Sequence, residues 1–320
     1  MILSSTPTTV YRYRTFSAST VNLLCSDEQF FANPSDFNDP FDCSPIVEID
    51  SDLSRLRAIL RELVATRVHA ETLAALRNAK FSETSAVSHA EQVAQNEASR
   101  AVQYVSYHAT NPEYDDRASA EVAMLGFEIQ LELGNRYGKG ICCFSEEFNN
   151  PLLWSHYGDQ HRGLCIGYSL DRRPPPKLQQ VQYGGNRTVT TSLLEQALLE
   201  NRTDAVELLD AQVLLRKAPE WGYEKEWRLI GKVGLQDSPL KLVEITFGLR
   251  CSAAVQHTVV KALQARAEPV AFYEMRNTPG TFLLERVELN MEEMAFLPIV
   301  AQSGVEIFGD PETGEFPSSL

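Results

Sequence analysis

Hydrophobic and polar positions fall into distinct textures along this 320-residue chain. From Ser51 onward, Leu53, Leu56, Ile59, Leu60 and Leu63 recur at intervals of three and four, the repeat of one helix face. Ser51-Asp52 places capping side chains in front of that run. The same repeat predicts further helices near residues 69–80, 85–109 and 115–135, so residues 51–136 read as a helical block. Ahead of it stands a short strand candidate, Val10-Tyr11-Arg12-Tyr13-Arg14, followed by the stretch Thr20 to Leu24. Next comes the loop Phe37-Asn38-Asp39-Pro40-Phe41-Asp42, turn chemistry set between aromatics. Beyond the block, short apolar runs predict strands at 140–145, 163–168, 180–183, 226–233, 241–247, 269–273 and 281–288. Helical patterns cover 151–157, 191–216 and 253–266.

Strands before and after a helical block predict an α+β fold, a mixed and mostly antiparallel sheet domain carrying an inserted helical subdomain. The expected boundaries are 1–50 for the first part of the sheet domain, 51–136 for the insertion and 137–303 for the remainder. The polar Gly- and Pro-containing segment 304–320 is expected to be a flexible tail. The insertion suits a lid, a surface for a protein partner or simply a packed subdomain, and amphipathic helices do not decide among them.

Composition narrows the function. The apolar fraction, 43%, is ordinary for a globular protein. A formal net charge of −14 argues against broad binding to duplex nucleic acid, which needs Lys and Arg on phosphates. It leaves room for a small nucleotide in a local basic pocket. No apolar run reaches the roughly 18 residues of a membrane span, and Met1 to Val10 lacks the layout of a signal peptide. The six cysteines form no C-x-x-C, and several sit inside apolar runs such as Gly140-Ile141-Cys142-Cys143-Phe144. They read as small buried hydrophobes in a reduced, cytoplasmic protein.

Candidate chemistry concentrates in Glu224-Lys225-Glu226-Trp227-Arg228. In an extended chain residues i and i+2 share a face, so Glu224, Glu226 and Arg228 are expected in one row. Adjacent carboxylates raise each other's pKa and cost stability, which a site tolerates better than a plain surface. For an isolated E-x-E, a solvated strand edge with one Glu paired to Arg228 is the favoured explanation; the other features of this chain point away from it. Arg12 and Arg14 alternate with Tyr11 and Tyr13, and aligned guanidinium groups suit an anionic ligand or a cross-strand ion pair. Asn38 and its neighbours build a turn that can hold Phe37 or Phe41 against a ring. Ser145 ends a predicted strand, and Trp154, His156 and Tyr157 follow on a short helix stopped by Gly158. Aromatic faces with polar tips suit a pocket wall or, equally, a core helix. Of the six histidines only His156 and His161 are closely spaced, so no metal site is expected. H-E-x-x-H, Walker, G-x-G-x-x-G and G-x-S-x-G motifs are absent from the chain.

The motifs Tyr11-Arg12-Tyr13-Arg14, Phe37 to Asp42, Cys143-Phe144-Ser145, Trp154-Ser155-His156-Tyr157, Gly163 to Tyr168 and Tyr223 to Arg228 together resemble a large bacterial family, domain of unknown function family 2971. That family implies no activity. The order of an arginine on a first strand, a serine ending a middle strand and then E-x-E also resembles the R-S-E class of ADP-ribosyltransferases. This second resemblance implies an ADP-ribosyltransferase-like fold acting on NAD as substrate, as a transferase or NAD glycohydrolase, of the bacterial defence (phage defence) or toxin type. It implies that Arg12 or Arg14 grips the NAD phosphates, that Ser145 holds the nicotinamide-side strand and that Glu226 stabilises the ribose cation. Glu224 would be the acid that meets the acceptor, a protein or a nucleic acid. Tyr11, Trp154, His156, Tyr157 and Asn38 are then expected around the cofactor. Two departures stand out: Ser145 is followed by Glu146 and Glu147, and a long helical block separates arginine from serine. The alternatives are a non-catalytic nucleotide-binding sensor module, or a metal-dependent nuclease or phosphoesterase using clustered hard oxygen ligands.

Overall fold

The computed structural model describes residues 6–294, 297 and 301–309. The chain runs through β1 (Thr9–Arg14), α1 (Ala18–Ser26), β2 (Glu28–Phe31), β3 (Ile46–Glu48), α2 (Leu53–Asn78), α3 (Glu83–His108), α4 (Arg117–Arg136) and β4 (Gly140–Ser145). It continues with α5 (Pro151–His156), β5 (Leu164–Ser169), β6 (Gln179–Gln180), β7 (Gln182–Tyr183), β8 (Thr188–Thr190), α6 (Thr191–Leu198), α7 (Thr203–Leu214) and β9 (Arg216–Lys217). Then come β10 (Glu226–Gly231), β11 (Gly234–Asp237), β12 (Lys241–Phe247), α8 (Ala253–Leu263), β13 (Ala271–Asn277), β14 (Leu284–Glu288), α9 (Met291–Met294) and α10 (Gly304–Phe308). The fold is mixed α/β, and most of its strand pairs are antiparallel. Contacts divide the chain into two units, Met1–Val10 with Glu28–Glu147 and Leu170–Leu240, and Tyr11–Asp27 with Phe148–Ser169 and Lys241–Leu320.

In the first unit, the Asp52 side chain accepts from the N–H groups of Ser54 and Arg55 and starts α2. The helix then runs unbroken to Asn78, because no Gly or Pro interrupts it; the separate helix expected near 69–80 is its second half. Its apolar stripe, Leu56, Ile59, Leu60 and Leu63, packs with Ala94, Ala98 and Val102 of α3 and Leu125, Ile129 and Leu133 of α4. Buried alanines at every fourth position of α3, from Ala86 to Ala98, leave room for close helix approach. Bonds from Arg57 to Glu121 and from Arg67 to Glu132 tie α2 to α4. The same core extends into α6 and α7 through Leu194, Leu209 and Val213. One helix was expected over 191–216, but the chain breaks at Asn201, which takes a left-handed φ of 52°. In this unit β10 lies between β4 and β6, antiparallel to both.

In the second unit, β12 pairs antiparallel with β5 and parallel with β13, and β13 pairs antiparallel with β14. The stretch Thr20 to Leu24 lies in α1, which Ser17 caps. Of the tail expected to be flexible, Gly304–Phe308 forms α10 behind a Ser303–Glu306 capping box, and residues 310–320 lie outside the described residues. Among the described residues no helix is long and apolar enough to cross a membrane.

Candidate functional site

The two glutamates reach the same place by different local structures. Pro219–Glu224 is a 3₁₀ turn, and Lys225 after it takes a left-handed φ of 43°. The strand begins only at Glu226. Glu224 is therefore not on the strand, and the expected extended row holds for Glu226 and Arg228 alone. Both glutamates nevertheless meet one cation. Lys217 Nζ lies 2.6 Å from Glu224 Oε2, 2.8 Å from Glu226 Oε2 and 3.5 Å from Asp42 Oδ2. Arg228 Nε donates to Glu226 Oε1 at 2.7 Å, and its Nη2 donates to Asp42 Oδ2 at 2.7 Å. Its Nη1 donates to the Leu214 carbonyl at 2.7 Å. Arg228 is 0% exposed and Glu226 3% exposed, so this is a dry ionic cluster and not a solvated strand edge.

The cluster is assembled by the Phe37-to-Asp42 loop. Asp42 supplies the carboxylate that shares Lys217 and Arg228. Asp39 is buried, accepting from the Phe41 N–H at 2.9 Å and from the Trp221 indole N–H at 2.8 Å. The Trp221 ring lies 5.3 Å from Lys217 Nζ, and the Phe37 ring lies 5.7 Å from the Arg228 guanidinium. Asn38 is exposed in the same loop. Two motifs far apart in sequence thus hold one another.

Ser145 ends β4 directly opposite Glu226. Its hydroxyl donates to the Glu224 carbonyl at 2.6 Å and accepts from the Glu147 N–H at 3.0 Å. Tyr183 Oη accepts from the Glu226 N–H at 2.8 Å. The two glutamates after Ser145 are also engaged: Glu146 accepts from the Trp227 indole at 2.7 Å, and Glu147 pairs with Lys225.

Electrostatics follow from this geometry. Burial pushes the Glu226 carboxyl up, but Arg228 and Lys217 outweigh it and bring the pKa down to about 2. The carboxylate is anionic at neutral pH and unsuited to act as a general base. Burial pulls Lys217 down, yet Glu226, Glu224 and Asp42 together raise it above its ordinary value. Burial raises the Cys143 thiol, with Glu226 adding to the shift, and pushes Cys43 up to about 12. Both thiols stay protonated at neutral pH, which fits small buried hydrophobes.

The remaining candidates belong to the second unit. Arg12 and Arg14 are half-buried on β1. The Tyr11 ring lies tilted 5.5 Å from Phe148, and burial with the neighbouring Glu244 pushes its hydroxyl up to about 12. Trp154 is fully buried, its indole N–H donating to the Phe148 carbonyl at 2.8 Å and its ring edge-on to Tyr13 at 5.1 Å. It is a core residue of this unit and not a free wall, because α5 turns it inward and leaves His156 exposed and Tyr157 half-buried. Trp154→Ala should therefore lower stability by about 3–5 kcal/mol, read from urea unfolding. A loss below about 1 kcal/mol would show that Trp154 does not anchor the core.

Sequence reasoning assigned no role to Lys217 or Asp42. Asp42 stands in the Phe37-to-Asp42 loop, so it was within reach; Lys217, in Arg216-Lys217-Ala218-Pro219, carries no local signal. His161 stacks on Trp154 at 6.1 Å, and its buried Nδ1 has no hydrogen-bond partner. It closes a turn in which Asp159, Gln160 and His161 all take left-handed φ angles of 50°, 52° and 69°. Among the described residues no group of three or more His, Cys, Asp and Glu is arranged to hold a metal ion.

The segment from α5 through β10 carries the sequence signature. Residues 153–229 match the family DUF2971, proteins of unknown function. This DUF2971 segment covers less than half of the chain, but it contains Trp154, His156, Tyr157, His161, Lys217, Glu224, Glu226 and Arg228. Arg12, Asp42 and Ser145 fall outside it. No curated protein and no solved structure matches the chain.

Proposed function

We propose that this chain cleaves the nicotinamide–ribose bond of NAD, as an ADP-ribosyltransferase or NAD glycohydrolase of ADP-ribosyltransferase-like fold. The observation that carries this reading is the placement of Glu226 opposite the strand-ending Ser145, with Glu224 beside it on the shared Lys217. When the glycosidic bond breaks, nicotinamide leaves with the electron pair and positive charge develops on the ribose. A permanently ionised carboxylate stabilises that charge without transferring a proton. Water or an acceptor oxygen then adds to the ribose carbon and releases its proton. Glu226 is buried, so NAD has to displace side chains that now cover it.

That burial also favours a second reading. Both oxygens of Glu226 are already bonded, to Arg228 and Lys217, as in a structural ion cluster. In a non-catalytic nucleotide-binding sensor module the cluster would only shape the site. Incubating the full chain with NAD, with and without cell lysate, and following products by mass spectrometry separates the readings. Nicotinamide with free ADP-ribose identifies a glycohydrolase, and nicotinamide with modified lysate components a transferase. Saturable NAD binding without nicotinamide favours the sensor. No binding and no release defeats both.

A further inference from the structure

A cavity of ≈ 530 Å³ opens on the helical block of the first unit, between α3 and α4. Its size falls within the range of small-molecule sites, roughly 300–1,000 Å³. Tyr104 and His108 line it from α3, Tyr114 from the connecting loop, and Met124, Phe127 and Glu128 from α4. Tyr104 and His108 stand one helical turn apart, and their rings approach to 4.2 Å. The Tyr104 side of the cavity is open: Tyr104 is 60% exposed and Phe127 61% exposed. Large aromatic residues on an exposed helix surface cost solubility unless something covers them.

Charge decides what would cover them. The cavity is lined by aromatic and apolar groups, the His108 imidazole and one carboxylate, Glu128, with no Lys or Arg among its lining residues. Among the described residues Glu128 makes no hydrogen bond or ion pair, unlike Glu121 and Glu132 on the same helix, which are held by Arg57 and Arg67. Aromatic faces attract a cation through their ring quadrupoles, and an unpaired carboxylate beside them adds direct attraction. An uncharged apolar ligand would leave Glu128 unused, and an anion would be repelled by it.

We propose that this cavity is a binding site for a small organic ammonium ion, held by the faces of Tyr104, Tyr114 and Phe127 and by the Glu128 carboxylate. The site is separate from the Glu226 cluster and stands whatever reaction that cluster performs.

The test uses a matched pair of probes, choline and its uncharged isostere 3,3-dimethylbutan-1-ol, titrated into the full chain and followed by calorimetry and ligand-observed NMR. Choline should bind saturably, and the alcohol about tenfold or more weakly, because it fills the same volume without the charge. Glu128→Gln and Tyr104→Ala should each weaken choline several-fold while leaving the far-UV circular dichroism and melting curve unchanged. A third arm uses a peptide carrying one trimethyl-lysine; tighter binding of that peptide than of choline would overturn the assignment to a free small ion. Equal binding of choline and the alcohol would overturn the proposal, as would absence of saturable choline binding or full retention of binding in the two variants.

Discussion

Arg228→Met is expected to cost the fold about 3–5 kcal/mol. The guanidinium is fully buried, and it bonds to Glu226, to Asp42 and to the Leu214 carbonyl. Methionine fills similar space but leaves three buried carboxylates, Glu224, Glu226 and Asp42, to share Lys217. The loss therefore comes chiefly from uncompensated charge and little from packing. That origin has a consequence: adding Glu226→Gln and Asp42→Asn should recover much of the loss, because a cluster neutralised as a whole no longer strands a charge. Urea unfolding of the single and triple variants measures both. A single-variant loss below about 1 kcal/mol, or no recovery in the triple variant, would mean the cluster is not buried in solution.

The same cluster sets a pH dependence. The Glu226 carboxyl is brought from an ordinary 4.5 to about 2, so its contribution is complete above about pH 4.5 and is lost as pH falls towards 2. Lys217 is raised above its ordinary 10.5, so its contribution is complete below that value and is lost only as pH climbs beyond it. Stability should therefore fall at the acid end in wild type, and less steeply in Glu226→Gln, which has no carboxyl to protonate there.

Glu226→Gln is also expected to lower NAD turnover on the order of a hundredfold or more while changing NAD affinity little. The amide keeps the size and some of the hydrogen bonding of the acid but removes the charge that the proposed reaction needs beside the developing ribose cation. Because the substitution also disturbs Lys217 and Arg228, activity has to be expressed per folded molecule, with the folded fraction taken from circular dichroism. Glu224→Gln provides the contrast. It loses one contact to the same lysine and should spare hydrolysis of NAD while impairing transfer to an acceptor. Wild-type turnover in folded Glu226→Gln would remove Glu226 from the chemistry and leave the cluster a purely structural role.

Much of this architecture was legible in local pattern. The helical block follows from apolar residues at helical spacing, capped by Asp52 and Asp116, and a helix needs only its own neighbours to form. The strands at 140–145, 226–231 and 241–247 follow from short apolar runs for the same reason. The break between α6 and α7 was less visible, because Asn201 is the sole residue there in the left-handed region and asparagine is only a weak signal of it.

The sequence by itself also determined that Glu226 and Arg228 share a strand face, since alternation is a property of the extended backbone. Only the tertiary structure decided what that face meets. The separation of Glu224 from the strand depends on the left-handed Lys225, which is neither Gly nor Asn and gives no warning in composition. The meeting of Asp42 with Arg228 depends on loop and strand packing across a long stretch of chain, and that of Lys217 with both glutamates on the turn that separates them. Electrostatic consequences reversed with it. Two neighbouring carboxylates on a chain raise each other's pKa, whereas in the folded core two cations override the cost of burial and hold Glu226 ionised. A charge reports its sign in the sequence; its partners, and hence its pKa and its chemistry, exist only once distant segments are packed together.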